Sequence, residues 1–172
     1  MYQVGGKHKY PEKMVKVALN AGQRIIKYVE NPSVSIMMLV AEQTPYDIEE
    51  FSGNVPMQVY ITASSRSNRA LDILMDDVKP EDIPYEVYKN TVSNFPRTFE
   101  YYYPRTPEKY LPELRKIALE KSPTMASILP NLSKEEWIIA IKNENRYSSG
   151  STQLKNLPKE LQTDNDILNA ML

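Results

Sequence analysis

Residues 107–132, PEKYLPELRKIALEKSPTMASILPNL, read as a helical hairpin. Leu111, Leu114, Ile117, Ala118 and Leu119 recur with the helical period. Pro107 suits a first helical turn, and Glu108 suits the positive end of the helix dipole. The helix must stop before Ser122-Pro123, because a residue preceding proline is pushed out of the α region. Met125, Ile128 and Leu129 are expected to face inward on a shorter helical turn, which Pro130-Asn131 ends.

The same grammar recurs outward from this stretch. Pro11-Glu12 opens a helix with Met14, Val17, Ala18, Ala21 and Leu19 as its apolar stripe; Ile25, Ile26 and Val29 follow, up to Asn31-Pro32. Ser33 caps a helix carrying Ile36, Met37, Leu39, Val40 and Ala41, ended by Thr44-Pro45. β-Branched residues crowd around Met57, Val59, Tyr60 and Ile61, but the surrounding helices favour a helix here too. After a turn over 64–68, Ala70, Leu71, Ile73 and Leu74 form the next stripe. Ser133 and Glu136 spell a capping box ahead of Trp137, Ile138, Ala140 and Ile141. A polar loop is expected from Asn143 to Thr152, and residues 161–172 read as half of a further unit.

Units thus begin near Pro11, Ser33, Val55, Glu81, Pro107, Ser133 and Lys159, spaced by about 22 and then about 26 residues. Each carries a compact residue late in its main helix: Ala18, Ala41, Ala63, Val92, Ala118, Ala140 and Ala170. Such short units cannot bury their own apolar faces, so copies must stack. The expectation is an all-α fold: a right-handed α-solenoid-like array of about six hairpins plus a terminal half-unit. It would fill residues 11–172 as a single helical-repeat domain behind a flexible arm, 1–10. An irregular helical bundle is the alternative.

The pattern resembles the short-period α-helical repeats of bacterial and phage proteins, of the leucine-rich-variant or HEAT-like type. The resemblance covers roughly residues 11–172 and rests on the alanine, the Asn, Pro or Ser break and the short apolar helix after it. It implies a binding surface and carries no catalytic residues over. The change in step length and the longer sixth-unit loop depart from it.

Composition narrows function chiefly by exclusion. The net charge of −1 and pI near 5.9 supply no global attraction to nucleic acid or anionic membrane. Without cysteine there are no disulfides, thiolate nucleophiles or cysteine-ligated metals. No apolar run approaches a membrane span, and the N-terminus lacks a signal-like apolar stretch, so a cytoplasmic protein with no membrane partner is expected. The only histidine, His8, sits in a charged arm, which argues against a nucleophilic triad or multi-histidine metal site. Gly5-Gly6-Lys7 lacks the remaining letters of a phosphate loop. Asp164-Asn165-Asp166 lacks the glycine and distal glutamate of a calcium loop. No enzyme activity, metal or cofactor is expected.

Binding residues are sought elsewhere. Tyr85, Tyr88, Tyr101, Tyr102, Tyr103 and Tyr110 cluster in sequence with Arg97 and Arg105, and tyrosine and arginine are enriched at binding hot spots. Three consecutive tyrosines cannot all face one core, so at least one of 101–103 should reach solvent. Packing between units is the other reading. Charge is also segregated: Lys7, Lys9, Lys13, Lys16, Arg24 and Lys27 face Glu12 alone over 7–27, while 30–50 holds only acids. This reads either as ordinary solvated faces or as a dipolar surface that orients a partner. The expected function is non-catalytic protein binding, as an adaptor or inhibitor; one concrete form is a phage product directed at a host defence protein. The alternative is nucleic-acid binding through the basic set. A homodimer through the C-terminal end is a further expectation.

Overall fold

A computed structural model describes residues 6–144 and 156–172. Among these the chain is all-helical: α-helices alternate with 3-10 turns, and the only extended pairing is an isolated bridge between His8 and Val29. The α-helices are α1 (Glu12–Asn20), α2 (Val34–Gln43), α3 (Met57–Ser64), α4 (Arg69–Asp77), α5 (Tyr85–Asn94), α6 (Phe99–Tyr102), α7 (Leu111–Lys121), α8 (Lys134–Glu144) and α9 (Asn165–Ala170). Asn143 and Glu144, expected to open a loop, belong to the last turn of α8; residues 145–152 of that loop lie outside the described residues.

The chain divides into two compact units, one ending at Thr91 and the other starting at Val92. In the first, α2 packs on α1, α3 and the 3-10 turn Pro45–Glu50, while α4 packs on α3 and that same turn. Ile36, Val40, Ala41, Val59 and Ala63 meet at the centre with little or no exposure. In the second, α8 packs on α7, α9 and the turn Pro123–Ser127, around Leu114, Ala118, Leu119, Met125 and Ala140.

Proline sets most of the joints. Pro11, Pro56, Pro107 and Pro158 precede helical segments with extended ψ near 135°, where a missing N–H costs nothing. At the other ends, Thr44 and Ser122 terminate α2 and α7 just before a proline that opens a 3-10 turn. Phe95 holds similar dihedrals before Pro96. A second joint type occurs twice. Asn31 and Asn131 lie in the left-handed region, at φ 48° and 50°, each two residues ahead of a serine that caps the next helix.

Several expectations needed correction. The helix expected from Pro107 is interrupted: Glu108–Tyr110 is a 3-10 turn, and α7 starts at Leu111. Pro112 has no N–H for the Glu108 carbonyl, and its ring would clash there. Ile128 is partly exposed rather than inward. Where the N-terminal arm is described, it is hydrogen-bonded to the segment between α1 and α2. The His8 amide donates to Tyr28 O at 2.7 Å, and Glu30 N donates to His8 O at 2.8 Å.

The largest correction concerns α1. Its fold-facing stripe is Val15 and Leu19, both buried. Leu19 apart, the stripe expected to be core points outward instead: Met14 is 60% and Val17 62% exposed, Ala21 is exposed and Ala18 half-buried. α1 therefore has two apolar faces, and the first unit uses one.

Candidate docking surface

The tyrosine-rich segment belongs partly to each unit, so its members are taken separately. Tyr88 is fully buried in the first unit and donates its hydroxyl to Pro80 O at 3.0 Å. Tyr85 is half-buried, with Lys89 over its ring. In the second unit, Tyr102 is 1% exposed and Tyr101, its T-shaped neighbour, 67%. Tyr88 and Tyr102 are thus core residues. Tyr103 stacks edge-on to Phe99 and accepts a 2.9 Å hydrogen bond from Arg115, so it braces the interior. Tyr110 is half-buried beneath Lys109. Arg97 and Arg105 are exposed. Of this set, Arg97, Tyr101 and Arg105 are exposed and Tyr85, Tyr103 and Tyr110 half-buried.

The charge segregation is mostly satisfied within the first unit. Arg24 forks onto the buried carboxylate of Asp47, which holds the guanidinium proton more tightly. Lys7 Nζ donates to Glu50 O at 2.6 Å. Arg69 Nη2 lies 2.6 Å from Glu49. Lys16 pairs with Glu12 one turn away, at 2.5 Å; that bond and one from Ser33 hold the Glu12 carboxyl below its usual value. Lys27 lies over the Tyr28 ring. Of the six basic residues, Lys9 and Lys13 remain as exposed ammonium groups directed to solvent.

Lys13 borders the unused face of α1, and Lys9 lies on the segment that leads into the helix. Met14 and Ala18, one turn apart, form a ridge with a depression on either side. One, of about 480 Å³, is lined by Pro11, Lys13, Val17 and Ala21; the other, of about 230 Å³, by Tyr10, Val15, Ile25 and Tyr28. Gln23 touches both. The lining is predominantly apolar, and Ala18 and Ala21 keep the floor low. Nothing here is arranged for acid–base or nucleophilic chemistry; the surface offers apolar area with a basic edge. The sequence pattern groups Met14, Val17, Ala18, Ala21 and Leu19 as one stripe; the structure buries Leu19 together with Val15, which lies outside that grouping, and leaves Met14, Val17 and Ala21 outward.

Among the described residues no helix is long and apolar enough to cross a membrane, and no group of three or more His, Cys, Asp or Glu side chains is placed to hold a metal ion. No family model, curated protein or solved structure matches the chain.

Proposed function

We propose that this chain is a non-catalytic protein-binding module, an adaptor or inhibitor, that docks a partner through the outer face of α1. The observation carrying this reading is the apolar stripe Met14–Val17–Ala18–Ala21, left in solvent by a helix that already fills its core positions with Val15 and Leu19. Soluble monomers rarely leave such contiguous patches uncovered without an interaction to explain them. The short helices, recurring proline joints and paired left-handed asparagines support a helical-repeat character of the leucine-rich-variant or HEAT-like kind. A right-handed solenoid arrangement and a cytoplasmic setting are parts of the same proposal.

The test is a pull-down from the native host with wild-type protein, Met14→Lys/Val17→Lys, and Arg97→Ala/Tyr101→Ala/Arg105→Ala. The first variant should lose the partner while keeping wild-type thermal stability. If only the second variant loses it, the Tyr101 surface carries binding and α1 does not.

A further inference from the structure

We infer that the outer face of α1 receives an amphipathic helix from another protein, one whose apolar stripe is flanked by acidic residues. This rests on the docking reading above and names the partner's chemistry.

Shape points to a helix. The two depressions share Met14, Ala18 and Gln23, so they lie side by side across a ridge one helical turn long. Apolar residues three and four apart on a helix stand about 5–6 Å from one another and interlock with such a ridge. The alanine floor lets a second helix axis approach closely. A polar or extended strand would leave its backbone groups unmatched against a surface that offers almost none in return.

Charge selects the flanks. Lys13 borders the larger depression, and Lys9 lies on the segment entering α1; among the described residues neither is paired with an acid. Lys16 and Arg24 are neutralised by Glu12 and Asp47. The uncompensated charge at the rim is therefore positive, and acidic residues beside a partner's apolar stripe would meet it. A second copy fits less well. The α1 face of a second copy lines its depressions with no acid to meet Lys13. The exposed Leu168 of α9 is flanked by Asp164 and Asp166, which Lys134 already holds at 2.9 and 2.6 Å. A nucleic acid would find an apolar centre where phosphate needs donors.

The experiment uses the full chain and two fluorescein-labelled peptides of about 18 residues, alanine-based so that they are helical alone. Both carry the same leucine stripe; one has glutamate flanks, the other lysine flanks. The glutamate peptide should bind at least tenfold more tightly by anisotropy, and Val17→Lys should abolish its binding. Lys9→Glu/Lys13→Glu, at exposed positions, should reverse the preference. Equal binding of both peptides, lost in Val17→Lys, would overturn the acidic partner while leaving the docking surface intact. Binding of neither peptide would overturn both readings. Binding of a duplex DNA oligonucleotide abolished by Lys9→Glu/Lys13→Glu would replace the proposal with a nucleic-acid interface. Concentration-dependent dimerisation by light scattering, lost in Val17→Lys, would replace it with self-association.

Discussion

Arg115 of α7 forks onto Glu136 of α8, with Nε 2.5 Å from Oε1 and Nη2 2.9 Å from Oε2. The same guanidinium donates to the Tyr103 hydroxyl and to the Pro130 and Asn131 carbonyls. Glu136 Oε2 meanwhile accepts from the Ser133 amide at 2.8 Å, and Ser133 Oγ accepts from Glu136 N at 3.2 Å. One ion pair thus joins two helices, a helix cap and a left-handed joint. Both side chains are largely covered. Removing one partner strands the other charge, so Arg115→Ala should cost about 3 kcal/mol in chemical denaturation. Ser133→Ala should cost about 1 kcal/mol.

The same pair sets a pH dependence. Burial alone would raise the Glu136 carboxyl; the hydrogen bonds from Arg115 and Ser133 and the Arg115 charge outweigh it and hold the group below its usual 4.5. A depressed folded value contributes stability that is fully present above 4.5 and is lost as pH falls through the lower folded value. Thermal melts from pH 7 down to 3 should show this acid limb. Glu136→Gln should lower stability at pH 7 and shrink the difference from wild type at pH 3.

Asn31 and Asn131 should share a substitution profile. At φ near +50°, a β-branched side chain is strained by about 1–2 kcal/mol. Asn31→Val and Asn131→Val should each destabilise by that amount in urea titrations, while the glycine variants stay within about 0.5 kcal/mol of wild type.

The helix contacts also depend on Ala118, which has no exposed surface. Ala118→Leu should force α7 away from its neighbours and cost about 1–3 kcal/mol, measured as a lowered urea midpoint.

Lys134 bridges Asp164, the N-cap of α9, and Asp166 in its first turn. The two carboxylates raise its ammonium well above the ordinary lysine value. Lys134→Met should leave global stability close to wild type, since the group is partly exposed. It should speed amide hydrogen exchange over 165–170 selectively, because the cap then loses its counter-ion.

Local features were the legible ones. The Ser133–Glu136 capping box, the Ser33 cap and the stops at Thr44-Pro45 and Ser122-Pro123 involve residues within one turn, so sequence spacing alone expresses them. Met57–Ser64 is helical despite its β-branched residues, because packing against α2 and α4 overrides a weak propensity. Arg115 went unnoticed because its partners lie 12 to 21 residues away. α1 was misread for a different reason. Periodicity shows that a helix has an apolar stripe; with two stripes about 130° apart, only the neighbouring α2 decides which one is buried. In the tyrosine run, Tyr88 and Tyr102 fill core positions that composition cannot separate from surface ones.

The proline joints have a consequence for the chain before it is folded. Thr44, Phe95 and Ser122 each precede a proline, and that neighbour disfavours their helical conformation whatever the rest of the molecule is doing. The breaks are therefore written into the growing polypeptide at the moment each X–Pro pair is made. A nascent chain emerging residue by residue carries its segment boundaries with it, and the early helices need not wait for later ones to learn where to end.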